Sequence, residues 1–300
     1  MDDVTDVVFR EILTKTHPPD VFFTEFANCD ALCSEGRESQ IGRLKYTEKQ
    51  RPIVAQIWGN NPETFHETAK LVKKLGFDGV DINMGCPQKT VVKNGAGAAL
   101  INTPELAKEI IDAVRKGAKG LPVSVKTRVG FKKIQTEEWL GFLLEQGLAA
   151  LTIHGRTQKE MSKVPVHWDE IGKAVKLRDK ISPETLIVGN GDVNSYGEAV
   201  GVSKKYGLDG VMIGRGVFSN LWVFDEDASE HSVKEHVDLL GEHVAFFDKT
   251  WGNRKKYHVF KKFFKVYVRD FSGAAELREK LMKTSNTKEA LELLESFSFK

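Results

Sequence analysis

Short apolar runs alternate with longer amphipathic stretches nearly to residue 220. The apolar runs predict strands at 21–26, 53–58, 79–84, 123–129, 150–154, 186–190 and 210–214. Between them, helix-period segments fall at 62–75, 104–116, 136–146, 168–176 and 196–206. Strand, helix, strand at this spacing predicts βαβ units and a parallel sheet. Lys73-Lys74-Leu75-Gly76-Phe77-Asp78-Gly79-Val80 is echoed by Lys204-Lys205-Tyr206-Gly207-Leu208-Asp209-Gly210-Val211, and loosely by Glu145-Gln146-Gly147-Leu148-Ala149-Ala150. Each reads as a helix end, a glycine C-cap and entry into a buried strand. Repeated modules, with no G-x-G-x-x-G turn after an early strand, predict an α/β chain folded as a (β/α)8 TIM barrel rather than a doubly wound sheet.

Such a barrel has eight strands, and only seven are visible here. The chain enters directly at Val4-Thr5-Asp6-Val7-Val8-Phe9-Arg10, which reads as the first loop and helix. The first strand is therefore expected to be missing, through a late start or a cut chain, leaving edges on both neighbouring strands. The pattern changes after Gly216, and from about Ser232 only helical periodicity remains. The expected division is a barrel at 1–228 and a small all-α domain at 229–300, with a polar linker at 225–232. In the tail, residues 254–270 predict one amphipathic helix. Phe260, Phe263, Phe264 and Tyr267 share a face, and Arg254, His258, Lys261, Lys262, Lys265 and Arg269 lie opposite. Lysines opposite an apolar face are usually a solvated surface. A helix so uniformly basic also suits phosphate contact.

Composition changes little in this picture. Hydrophobic residues at 41% and charged residues at 29% are ordinary for a globular chain, and the net charge of +2 neither demands nor excludes a polyanion. No apolar run nears the roughly 20 residues that span a bilayer. The acidic opening Met1-Asp2-Asp3 is not that of a signal peptide. Three cysteines, Cys29, Cys33 and Cys86, are too few for a disulfide framework and point to a reducing cytoplasm. Cys29 and Cys33 lack a second ligand pair, so no metal site is expected.

The candidate chemistry gathers at strand ends. Asp81-Ile82-Asn83-Met84-Gly85-Cys86-Pro87-Gln88 reads as a buried strand running into a turn that presents one thiol. A lone cysteine is more often a small buried hydrophobe, but the ligand-binding edge of an α/β fold is a place for chemistry. Val125-Lys126-Thr127-Arg128 and Ile153-His154-Gly155-Arg156-Thr157 put charge-bearing groups into apolar strands, where burial is costly without a ligand. Asn190-Gly191-Asp192 and Gly214-Arg215-Gly216 close the last two strands, where barrels commonly bind phosphate.

This set resembles the dihydrouridine synthase family, bacterial type: flavin enzymes that reduce uridines in tRNA. The matching pieces are Val4-Thr5-Asp6 with Phe9-Arg10, Ala55-Gln56-Ile57-Trp58-Gly59, Asn83-Met84-Gly85-Cys86-Pro87 and Lys93-Asn94-Gly95-Ala96-Gly97-Ala98. They continue through the four strand ends above and, in the tail, residues 255–265 and Gly273-Ala274-Ala275-Glu276-Leu277-Arg278. The resemblance implies FMN lying across the strand ends, reduced by NADPH or NADH. Gln56 and Lys126 would contact its ring or ribityl region. His154, Asn190, Gly191, Asp192, Gly214 and Arg215 would hold the ribityl and phosphate end. Met1 would be the remnant of an opening Ala-Pro-Met turn that also touches the flavin.

On the same resemblance, hydride goes to C6 of uracil and Cys86 gives a proton to C5 from the other face. An ordinary thiol, with a pKa of about 8.5, is protonated at neutral pH as that role requires. Asn83 and Arg128 are candidates for the uracil pocket, and Arg254, Lys261, Lys262 and Lys265 for tRNA. No membrane and no protein partner is implied. Two rivals remain: an FMN barrel acting on a small pyrimidine or enone, and a flavin-free RNA-binding module.

Overall fold

The structure, a computed structural model, describes residues 3–227 and 229–297. Two short strands, β1 (Phe22–Phe23) and β2 (Ala27–Asn28), lie along β3 (Ile53–Trp58). Then follow β4 (Gly79–Asn83), β5 (Val123–Arg128), β6 (Ala150–His154), β7 (Leu186–Asn190) and β8 (Gly210–Met212), each parallel to the one before. Because β1 and β2 share one neighbour, the sheet has seven positions side by side, in sequence order. This is the curled parallel sheet the pattern predicts. Among the described residues β8 pairs only with β7, so the wrap does not close.

Two expectations change in detail. The strand expected at 21–26 is split, and the Thr24 hydroxyl takes the Gln56 N–H at 3.0 Å while Glu25 turns to take the Val4 N–H at 3.0 Å. The segment 136–146 opens with a π-turn, Thr136–Leu140, and Trp139 reaches from it to give its Nε1–H to the Thr127 hydroxyl at 2.9 Å. Met1, the expected remnant of the flavin-touching turn, lies outside the described residues.

Helices Pro62–Lys74, Pro104–Ala118, Trp168–Ile181 and Tyr196–Tyr206 connect the strands. The third runs beyond its expected end at 176, because Arg178 ties its last turn to the Thr185 carbonyl at 2.9 Å and the Asp209 carboxylate at 2.6 Å. Gly76, Gly147 and Gly207 end their helices at φ of +79°, +62° and +69°, the left-handed geometry that selects glycine.

Beyond β8 the described tail contains helices and turns, chiefly Val233–Trp251, Ala274–Lys283 and Thr287–Glu295. Ser232 and Glu235 cap the first of these reciprocally. The single helix expected at 254–270 is a correction. The segment is three 3-10 turns, Gly252–Arg254, Tyr257–Val259 and Lys261–Phe263, and one α-turn, Phe264–Tyr267. The expected apolar face nevertheless holds, with Phe260, Phe263, Phe264 and Tyr267 all buried. A 3-10 turn aligns residues three apart, and this lets Phe260 and Phe263 both pack on His243, at ring distances of 4.6 and 4.8 Å. Phe9, in the helix Val7–Thr16, stacks on Phe263 at 5.4 Å and meets His243 at 5.8 Å. Asp6 caps that helix and accepts from Trp251 Nε1 and Lys255 Nζ, each at 2.9 Å. One apolar core thus runs from barrel to tail.

Burial holds His243 down, at about 3, so it is neutral in the fold. An unfolded chain takes up that proton near pH 6.5, so stability is full above 6.5 and falls as pH drops toward 3. The slope for one proton is about 1.4 kcal/mol per pH unit. A His243→Gln protein should show a shallower decline of thermal midpoint between pH 6.5 and 4. An unchanged slope would assign the acid lability to other groups.

Candidate active site

β4 is buried at all five of its positions, yet it carries Asp81 and Asn83. Strand register supplies their partners: Gln56 lies beside Asp81, Asp81 beside Ser124, and Asn83 beside Lys126. Further along, Arg128 lies beside His154 and His154 beside Asn190. Parallel pairing thus assembles one polar row from residues scattered over more than a hundred positions of sequence.

The row is hydrogen-bonded through to the thiol turn. Ser124 Oγ gives to Asp81 Oδ1 at 2.6 Å, and Gln56 Nε2 gives to Asp81 Oδ2 at 2.7 Å. Asn83 Nδ2 gives to Gln56 Oε1 at 3.2 Å. The Gly85 and Cys86 N–H groups give to Asn83 Oδ1, at 3.2 and 2.9 Å. On the other side, the Ala98 N–H holds the Cys86 carbonyl at 3.0 Å. Gly97 sits at φ +59°, and a Cβ there would lie 2.9 Å from that carbonyl. The glycine of Lys-x-Gly-Ala-Gly is therefore required by the close approach of the thiol turn. Cys86 itself remains partly exposed.

Around it stands a set of cations. The Lys126 ammonium gives to Asn190 Oδ1 at 3.0 Å, its one hydrogen bond among the described residues, and Asn190 gives to the Met212 carbonyl at 2.8 Å. Burial, with Arg128 nearby, lowers Lys126 to about 8, against the pull of Asp81 and Cys86. Arg128 clamps backbone, from Nε to the Gly85 carbonyl at 2.7 Å and from Nη1 to the Thr157 and Met161 carbonyls at 3.1 and 3.0 Å. Burial lowers Arg128 to about 10, and a charge on Cys86 acts against this, as it does at Lys126. The thiol is thus an electrostatic neighbour of both. Gln158 lays the loop after β6 over the turn, giving to the Pro87 carbonyl at 3.2 Å.

Burial and the neighbouring Lys126, Arg128 and Arg156 push His154 down to about 2, so its imidazole is neutral. Arg156, only 2% exposed, contacts His154 Nε2 at 3.3 Å and pairs with Asp192. Arg215 pairs with the other oxygen of Asp192 at 2.6 Å. Arg156 first, then Arg215, hold the Asp192 carboxyl below its usual range. Gly191 and Asp192 turn at φ of +144° and +45°. Gly216 packs so tightly that a Cβ would lie 2.3 Å from the Val193 carbonyl, whereas Gly214 faces open space. Through Asp192, Arg156 and Arg215 thereby tie the loops after β6, β7 and β8 together.

The structure thus connects Gln56, Asn83, Cys86, Lys126, Arg128, His154, Asn190, Asp192 and Arg215 in one cluster. The tail cations are separate: no hydrogen bond or ion pair among the described residues links Arg254, Lys261, Lys262 or Lys265 to it. Lys261, Lys262 and Lys265 border two open grooves, and Arg254 lines neither. One, of about 660 Å³, is lined by Lys265, Arg269 and Arg278; the other, of about 770 Å³, by His258, Lys261, Lys262, Lys265 and Arg278. Lys261 is tied to the Met282 carbonyl at 2.7 Å and Lys262 to that of Asp3. Sequence reasoning overlooked Ser124 and gave no role to Asp81 or Arg156. An acid inside a strand buried on both faces was the available signal for Asp81.

A curled parallel sheet with its polar groups collected at the carboxyl ends of the strands defines an α/β enzyme of the barrel type. The chain belongs to the dihydrouridine synthase family: the family model described as "Dihydrouridine synthase (Dus)" matches residues 1–300. It is 47% identical over 300 residues to a "Probable tRNA-dihydrouridine synthase" of Staphylococcus aureus (strain MRSA252), covering 99% of this chain and 91% of that protein. It is 46% identical over 303 residues to "Probable tRNA-dihydrouridine synthase 2" of Bacillus subtilis (strain 168), covering 100% and 93%. In fold it is similar to "Morphinone reductase", with a TM-score of 0.51, 13% identity and coverage of 72% of this chain and 79% of that one.

Proposed function

We infer that this protein is a tRNA-dihydrouridine synthase, an oxidoreductase that saturates the C5–C6 bond of uridines in tRNA. The observation that carries the reading is the partly exposed Cys86, gripped by its backbone and set beside Lys126 and Arg128.

The strand ends fit a flavin. A deeply set ammonium with one protein partner suits the acceptor-rich edge of an isoalloxazine. Arg215, exposed at the last strand end beside the open space at Gly214, suits a phosphate. Gln56 and Lys126 would hold the ring and ribityl region, and His154, Asn190, Gly191, Asp192, Gly214 and Arg215 the ribityl and phosphate end. FMN, reduced by NADPH or NADH, would supply the hydride that reaches C6 of the uracil. Cys86 holds the proton destined for C5. Lys126 and Arg128 steady the charge left on sulfur, and its partial exposure lets water return the proton. Asn83 and Arg128 border the uracil, with Arg128 Nη2 free of hydrogen bonds among the described residues.

Residues 1–228 would then perform the chemistry, and the tail at 229–300 would dock the tRNA through Arg254, Lys261, Lys262 and Lys265. Extruding a stacked uridine costs a few kcal/mol, which backbone contacts in the tail grooves offset. Such an enzyme works in the cytoplasm, where tRNA is. No helix among the described residues is long and apolar enough to cross a membrane.

Lys126→Met tests the cofactor site. The variant should fold but bind FMN at least about tenfold more weakly, the scale of one charged hydrogen bond. Flavin absorbance of the purified protein and an FMN titration read this directly. Unchanged FMN affinity would remove Lys126 from the site.

A further inference from the structure

The buried row beneath Cys86 can be read in only one direction. Asp81, when ionised, only accepts hydrogen bonds. It takes one from Ser124 and one from Gln56 Nε2, so Gln56 Oε1 must face away from it. That oxygen takes the Asn83 Nδ2–H, which leaves Asn83 Oδ1 for the N–H groups of Gly85 and Cys86. Every member is nearly sealed from water, with Asp81 at 0%, Asn83 at 6%, Gln56 at 7% and Ser124 at 8% exposure.

We propose that Asp81 is a positioning residue. Acting through the amides of Gln56 and Asn83, it anchors the far end of the hydrogen-bonded chain that holds the Cys86 turn in place. Stability alone does not account for it. Among the described residues Asp81 has no ion pair, and its strand neighbours Val80 and Ile82 are apolar. A buried carboxylate without a cation in contact is a costly choice where an apolar residue would pack. Burial does raise its carboxyl to about 6, against the bonds from Ser124 and Gln56 and the nearby Lys126. It is ionised above that pH and can then accept from both partners. The donor-only N–H groups of the turn fix the Asn83 amide at one end, and Asp81 gives the Gln56 Nε2–H a fixed acceptor at the other.

The proposal depends on the role of Cys86 only for its catalytic consequence, and the test reads the turn itself. Asn83→Asp places acceptor-only groups at both ends of the Gln56 amide, which has one NH2 to give. The thermal midpoint of the full chain should drop clearly. Asp81→Asn alone should cost little, because Ser124 can accept from the new amide. The double variant Asp81→Asn/Asn83→Asp reverses the two links through Gln56 and leaves the chain complete: Ser124 gives to the new amide oxygen, the new amide NH2 gives to Gln56 Oε1, Gln56 Nε2 gives to the new carboxylate, and the two turn N–H groups give to that carboxylate as they gave to Asn83. It should recover most of the midpoint lost in Asn83→Asp. A double variant that loses the sum of the two singles would overturn the proposal.

Asp81→Leu gives the second reading. Amide exchange at Gly85 and Cys86, followed by NMR, should accelerate about tenfold, the scale of one net hydrogen bond, and kcat should fall with KM for tRNA unchanged. Unchanged exchange at both amides would equally overturn it. Should Asp81→Leu not fold, the double-variant comparison still decides. A recovered midpoint alongside a fully active Cys86→Ala protein would keep the relay and remove the thiol from the reaction.

Discussion

A Cys86→Ala protein should form dihydrouridine about 10² to 10⁴ times more slowly than the natural chain, the range that a positioned proton donor supplies. Bound FMN and the oxidation of NADPH should persist. The thiol lies on a turn fixed by backbone bonds to Asn83 and Ala98, and neither bond uses the sulfur. Removing the sulfur therefore leaves the turn, the polar row and the Lys126–Asn190 pair in place. What is lost is the thiol with its proton, and with it the charge that Lys126 and Arg128 face. Alanine also adds no polar group of its own to the site. Dihydrouridine counted by mass spectrometry of digested tRNA, beside the flavin spectrum, separates the two effects. Reduction at the natural rate would exclude Cys86 as the donor.

The second large effect belongs to the tail. Lys265 and Arg278 border both basic grooves, and Lys265 is exposed. Changing both to glutamate should weaken tRNA binding strongly and lower the slope of log affinity against log salt by about one for each phosphate no longer neutralised. FMN content should not change. Among the described residues Arg278 gives only Nη1, to the Val268 carbonyl at 2.7 Å. Lys261 and Lys262 border one groove rather than both, with their ammoniums given to the Met282 and Asp3 carbonyls, so reversing those two should cost less. Binding measured across a salt series compares the pairs. An unchanged affinity and slope in the Lys265 and Arg278 variant would return the grooves to ordinary solvated surface.

The parts legible from sequence are those written in local patterns. Six of the seven strand runs matched within two residues, because buried parallel strands read as short apolar runs between turn signals. The glycine ends at Gly76, Gly147 and Gly207 were legible for the same reason. The Gly97 position was visible as a motif, but its cause, the close approach of the Cys86 carbonyl, arises only once the chain has folded back. In the tail, the aromatic spacing at Phe260, Phe263 and Phe264 revealed the buried face but not the backbone. Residues three apart align in a 3-10 turn and nearly so in an α-helix, and His243 decides between them from another element. Asp81 and Ser124 meet through strand register, which spacing along the chain does not encode.

The most direct test is to supply the purified full chain with FMN, NADPH and tRNA lacking dihydrouridine, and in parallel with free uridine. A gain of two hydrogens at defined tRNA uridines, with far slower turnover of the free nucleoside, is the expected result. A flavin-loaded protein that leaves tRNA unreduced, or that reduces free uridine equally well, would contradict it.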